Sequence, residues 1–344
     1  MIPAAASKAH LAPRPKFWRS PAVRIGGSAL ILGLLLTILP FGQVWSAIQR
    51  ISPTLSIVAL FVYLMLHLLG VLKWRMLVNV AGAGLSFPQA VRCYYGGLFG
   101  NVFLPSLIGG DVVRGAMAFP VSRSKAAVVM GSLIDRTQDV IGLGAIAATG
   151  ALLSPRSLDP QSRRVFLAFG VAMALVSIVA VVVVLAMPVR KFPMKVRRIM
   201  VKLRRAGGSM VGHWHVVLLC LGIGVVLQVL QVGLNCWLGL ACGLHIAFGV
   251  WLFAWPLAKI SALLPVTQGG IGVREFALVA LLLPFGAPSV LVAAAGLVYE
   301  AISTFGGLVA GIIAFLIGRA TSASAKSFPV LFAVKNEGNE APLK

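Results

Sequence analysis

LPSLIGGDVVR, Leu104 to Arg114, and LPVTQGGIGVR, Leu264 to Arg274, are one phrase written twice. Both read L-P-x-x-x-G-G-x-x-x-R, and Pro105 and Pro265 stand 265 − 105 = 160 residues apart. Proline cannot donate to a helical ladder, so it ends an entering half-helix. A glycine pair permits a tight reversal and leaves the backbone bare for close approach. A second half-helix is expected to begin near Asp111 in one copy and near Ile271 in the other. Its first amides lack intrahelical partners and lie at the positive end of the helix dipole, which favours an anion. Arg114 and Arg274, about one turn in, add planar donor forks suited to phosphate. A plainer reading lets Gly109–Gly110 and Gly269–Gly270 merely turn the chain while the arginines snorkel to headgroups. Two copies at identical spacing favour the anion-binding device.

The rest of the chain sets this phrase in a membrane. Of 344 residues 59% are hydrophobic and only 11% charged, against about a quarter charged in soluble domains. Apolar runs of about 18 residues or more, enough to cross a hydrocarbon core of about 30 Å, recur. Lys and Arg total 30 against 8 Asp and Glu. In this setting the excess orients the protein and touches anionic headgroups; no basic motif interleaved with aromatics suggests nucleic acid. The four cysteines form no C-x-x-C, and no cofactor or metal site is expected.

Basic residues give an expected topology. Lys8, Arg14, Lys16, Arg19 and Arg24 precede a first, uncleaved helix over about 25–39 and place the N-terminus in the cytoplasm. A second span over about 55–72 ends inward at Lys73 and Arg75. The short stretch 94–107, broken at Pro105, starts and ends inside and therefore reads as a re-entrant hairpin. A third span covers about 126–153 and a fourth 165–187. Eight Lys and Arg between Arg190 and Arg205 fix the next loop as cytoplasmic. A fifth span over 216–234, a second broken hairpin over 250–283 and a sixth span over 290–317 follow. The expected fold is an all-α polytopic membrane protein with about six spanning helices and two re-entrant hairpins in an inverted repeat, the arrangement in which transporters bring broken helices together near the midplane. In domain terms, a basic cytoplasmic segment 1–21 precedes a transmembrane domain 22–318. Its halves, about 55–153 and 216–318, are joined by span 165–187 and loop 188–215, and a polar tail covers 319–344.

Carboxylates narrow the site. Asp159, Glu337 and Glu340 fall in loop or tail, whereas Asp111, Asp135, Asp139, Glu275 and Glu300 lie in or beside membrane elements. There an ionisable group is costly, and its default reading is functional. Asp111 can pair with Arg114 at i,i+3. Asp135 and Asp139 share a helix face beside Arg136, Glu275 follows Arg274, and Glu300 has no basic neighbour in sequence. The candidate lipid- or anion-binding set is Gly109, Gly110, Asp111, Arg114, Asp135, Arg136, Gly269, Gly270, Arg274 and Glu275, with Asp139 and Glu300 as candidate relays. Internal ion pairs that only fix helix packing are the competing reading.

The stretches NVFLPSLIGGDVVRGAMAF (Asn101 to Phe119), IDR (Ile134 to Arg136) and LPVTQGGIGVREFALVALLL (Leu264 to Leu283), with a weaker match in KWRMLV around Trp74, resemble the lysylphosphatidylglycerol synthase transmembrane-region family, also called flippase-like. The resemblance extends from the first span to the last. It implies a membrane module that moves phospholipid between leaflets. In some relatives that module is fused to a soluble aminoacyltransferase domain, for which this chain is expected to have no room, so no enzymatic activity is carried over. Where relatives often place an arginine after the tyrosine of the last span, this chain has Tyr299 followed by Glu300. Three functions compete: translocation of an anionic or phosphate-bearing lipid in the cell membrane, proton- or ion-coupled transport of a small organic anion, and headgroup chemistry by an intramembrane enzyme. The last lacks a metal cluster or a Ser/His/Asp set. The expected partner is a membrane phospholipid or other phosphate-bearing lipid, with a further protein partner and the oligomeric state left open.

Overall fold

The computed structural model describes residues 41–104, 107–153, 171, 175, 179, 182, 194–262 and 272–326. The expected first span, most of the fourth, Gly269–Gly270 and residues 327–344 lie outside them. Among the described residues the protein is helical throughout, apart from turns and caps. In chain order the helices are α1 (Phe41–Gln49), α2 (Pro53–Val80), α3 (Phe87–Phe103), α4 (Leu107–Ala118), α5 (Lys125–Leu153), α6 (Met194–Gly212), α7 (Trp214–Ala241), α8 (Phe248–Ser261), α9 (Val273–Leu282) and α10 (Ser289–Lys326).

Local chemistry sets the helix starts. Ser52 caps α2, its Oγ accepting from the Leu55 amide at 3.2 Å, with Pro53 in the first turn. At α3 the Gln89 side chain accepts from the Ser86 amide at 2.9 Å, and Pro88 pre-sets the first turn. The helices α2, α7 and α10 are both long and apolar enough to cross a membrane. α5 has 29 residues but carries Asp135, Arg136 and Asp139 in its middle. At 17, 12, 14 and 10 residues, α3, α4, α8 and α9 each fall short of the roughly 20 needed to span. Outward faces are apolar: Ile57, Phe61, Ile312 and Phe315 are 59–67% exposed, as suits contact with lipid tails.

The two halves are built alike. α2 and α7 have 28 residues each, and α3 and α8 begin 248 − 87 = 161 residues apart. Both long helices end in the same turn. Gly82 (φ 102°) and Gly243 (φ 91°) reverse the chain after a right-handed cap, and the next amides, Ala83 and Leu244, reach back to the Val78 and Gly239 carbonyls. The short helices α3 and α8 each pack on a long helix of the other half, α3 on α10 and α8 on α5, while α2 packs on α7. Glycines permit those crossings: a Cβ on Gly150 of α5 would come within 2.6 Å of the Leu252 carbonyl carbon in α8, and one on Gly311 of α10 would overlap the Phe99 ring of α3.

Two expectations change here. The second span does not end at Lys73: α2 runs on to Val80, and Lys73 is 3% exposed inside the bundle. Gly109 and Gly110 do not make the reversal. Neither has positive φ, and both lie in the first turns of α4, which starts at Leu107 rather than near Asp111. Their smallness serves packing between α3 and α4. A Cβ on Gly110 would overlap Asn101 and the Gly97 carbonyl, and the Gly110 amide donates to Asn101 Oδ1 at 2.8 Å. In the second copy α9 starts at Val273, and the third glycine, Gly272, adopts the left-handed conformation (φ 85°) at its cap.

Candidate functional site

Tertiary packing gathers the intramembrane charges into two networks. In the first, α2, α4 and α5 bring together Lys73, Asp111, Arg114, Asp135, Arg136 and Asp139. Lys73 Nζ lies 3.0 Å from Asp135 and 2.6 Å from Asp139. Arg114 reaches Asp111 at 2.9 Å and Asp135 at 3.3 Å, and Arg136 pairs with Asp111. Three cations meet three carboxylates, 3 − 3 = 0, which is how a low-dielectric interior tolerates charge. The Arg114 guanidinium also lies over Trp74 (4.9 Å) and Tyr94 (5.0 Å), and its Nε is buried without a hydrogen-bond partner.

The second network repeats the design around α9. Arg274 donates to Glu275 through Nε (3.1 Å) and Nη2 (2.7 Å) and also pairs with Glu300. Its guanidinium lies over Trp255 (5.4 Å) and Tyr299 (4.9 Å). Trp255 and Tyr94 are 255 − 94 = 161 residues apart and the two arginines 274 − 114 = 160, so α3 and α8 each set an aromatic ring beneath the arginine of the helix that follows. Glu275, 1% exposed, also accepts from the Gly272 amide at 2.7 Å and so fixes the start of α9. Glu300, without a basic neighbour in sequence, gains Arg274 through folding.

A cavity of about 210 Å³ opens beside this second network, walled by α2, α3 and α7 to α10. Arg274 and Glu300 line it; Arg114 and its carboxylates do not. Lys259 of α8 also lines it, held by Gln228 (2.8 Å) and Gln231 (2.5 Å) of α7, with no carboxylate within ion-pair distance among the described residues. Trp255 Nε1 and His67 Nδ1, both on the wall, are buried without hydrogen-bond partners. Arg274, Glu275 and Glu300 sum to 1 − 2 = −1, and Lys259 restores neutrality around the cavity. Lys73 and Lys259 were both missed as site residues in sequence. Lys259 carries a readable signal, a lone cation within FAWPLAKISALL. Lys73 looked like a span-ending flank.

Long apolar helices, two pairs of helices too short to span, and buried balanced charge define a polytopic helical membrane protein. The family model for the lysylphosphatidylglycerol synthase TM region matches residues 22–311, and the chain belongs to that family. It is also similar to a UPF0104 membrane protein of Methanothermobacter thermautotrophicus, 25% identical over 126 residues, a match that covers 36% of each chain.

Proposed function

We propose that this protein is a lipid translocase of the cell membrane, which passes the headgroup of an anionic or phosphate-bearing lipid through the central cavity while the acyl chains stay in hydrocarbon. The observation that carries this reading is Lys259: a cation held at the cavity wall by two neutral glutamines, beside Arg274 and an unpartnered Trp255 N–H. A phosphate entering there would accept from the Lys259 ammonium, now held only by neutral glutamines, and from the free Trp255 N–H. At about 210 Å³ the cavity is below the roughly 300–1,000 Å³ of whole-ligand clefts, which suits a headgroup alone. The six-span topology with two re-entrant hairpins and cytoplasmic termini is part of this proposal. In it α3–α4 and α8–α9 enter from opposite faces, as an inverted repeat requires. Gly269–Gly270 keep a proposed role in close approach to the headgroup, while Gly109–Gly110, packed against α3, and Arg114, Asp111, Asp135, Arg136 and Asp139 hold the first hairpin in place.

The cavity's size also suits a small organic anion, so the ion-coupled transporter is the second reading, with Glu300 at the cavity as its relay. Native mass spectrometry of the protein extracted from membranes separates the two. A retained phosphate-bearing lipid that is lost in Lys259→Gln supports translocation. A protein that carries no lipid beyond its unselective belt, yet is stabilised by a soluble anion, overturns it in favour of the second reading.

A further inference from the structure

A second cleft, of about 660 Å³, lies on the outer surface between α3, α4 and α10. Its walls are apolar, with Phe99, Val113, Met117 and Phe315 among them, and its end is basic. Arg92 lies against the last turns of α10, its Nε 3.0 Å from the position of a Cβ on Gly318, next to Arg319. Neither arginine has a carboxylate within ion-pair distance among the described residues, because Asp111, Asp135, Asp139, Glu275 and Glu300 are all committed to the two interior networks. Along α10 the cleft extends from Gly311 to Arg319, about 12 Å at 1.5 Å per residue. That is most of the roughly 15 Å that one leaflet contributes to a hydrocarbon core of about 30 Å. Two uncompensated guanidinium groups at the end of a leaflet-long apolar groove match an anionic headgroup with a chain beneath it.

We propose that this groove docks one anionic phospholipid, its phosphate between Arg92 and Arg319 and an acyl chain along Phe99, Val113, Met117 and Phe315. The groove and the central cavity lie in succession along α3 and α10, separated where the two helices meet at Gly307. On α3, Phe99 faces the groove while Leu98 and Val102 face the cavity; on α10, Gly311 faces the groove and Thr304 the cavity. Between them a Cβ on Gly307 would overlap Val102 and lie 3.2 Å from the Leu98 carbonyl oxygen. A lipid docked there would wait outside the cavity, behind the α3–α10 contact at Gly307, before its headgroup is drawn inward. That role rests on the translocase reading, whereas binding at the groove does not.

The test uses the full chain in vesicles of equal phosphatidylglycerol and phosphatidylcholine, with photo-crosslinking benzoylphenylalanine in place of Phe315, which is 62% exposed. The expected adduct is enriched about tenfold in phosphatidylglycerol, in keeping with two basic groups at an anionic leaflet. Arg92→Gln with Arg319→Gln returns it to the bulk ratio at unchanged melting temperature. Arg319→Gln alone, at an exposed position, gives an intermediate ratio and covers the case in which the pair fails to fold. A bulk ratio in the unsubstituted arginine background, or an enrichment that survives both arginine changes, overturns the proposal. Enrichment that responds to the arginines in a protein with no transport leaves the docking site standing and removes the translocase reading instead.

Discussion

Lys73→Met tests whether the first network is a single balanced unit. Lys73 Nζ sits between Asp135 and Asp139, with its side chain 3% exposed and theirs 6% and 22%. Methionine fills nearly the same volume without the charge. Asp135 keeps Arg114 at 3.3 Å, but the nearest cation left to Asp139 is Arg136 at 4.0 Å. Removing one partner of a buried pair typically costs about 3–5 kcal/mol. At a few degrees per kcal/mol this lowers the melting temperature by on the order of 10 °C. Tryptophan-fluorescence melts in detergent read the change directly. Adding Asp139→Leu restores the balance, since Arg114 and Arg136 then face Asp111 and Asp135, 2 − 2 = 0, and most of the lost stability should return. A single variant that melts within about 1 °C of wild type, or a double variant no better than the single, would refute the account of this network as one charge-balanced cluster.

Gly110→Ala drives a methyl group into Asn101 and the Gly97 carbonyl and should destabilise by about 1–3 kcal/mol, whereas Gly115→Ala, with nothing within 4 Å, should be neutral or slightly stabilising; parallel melts compare them. Gly272→Ala forces a side chain into φ 85° at the α9 cap and should cost about 1 kcal/mol or more, again seen by melting. Glu275→Gln should be more destabilising than Glu300→Gln, because Glu275 is 1% exposed and fixes both Arg274 and the Gly272 amide; equal effects would contradict that ranking. A cysteine at exposed position 202 in α6 should react with impermeant maleimide only from the cytoplasmic side, and labelling from outside would overturn the proposed orientation.

Periodicity, length and a repeated phrase made the helical membrane class and the duplicated design legible, because apolar length and helix breakers act locally. The repeat continues past the phrase into Gly82 and Gly243 and into Tyr94 and Trp255, whose likeness appears only once their shared turn and their shared place beneath an arginine are seen. The charge partners were less legible. Asp111 with Arg114 is an i,i+3 pair and readable. Lys73 with Asp135 and Arg274 with Glu300 join residues 62 and 26 apart, and only helix packing decides such matches. Lys73 was misread for the same reason: a lysine near the end of an apolar run resembles an interfacial flank until α5 is placed against it. The glycine pair was read for its conformational freedom, but in α4 its value is the missing side chain, which depends on where α3 lies.

Lipid movement itself tests the central claim most directly. The protein is reconstituted into liposomes carrying fluorescent phosphatidylglycerol, and dithionite added outside reports how much label has crossed from the inner leaflet. Protein-dependent crossing is expected, and it falls about tenfold or more in Lys259→Gln, the loss of roughly one charge-assisted contact, measured at a temperature where the variant is still fully folded. Crossing no faster than in protein-free liposomes, with phosphatidylglycerol and with every other phosphate-bearing lipid retained by the purified protein, would contradict that claim.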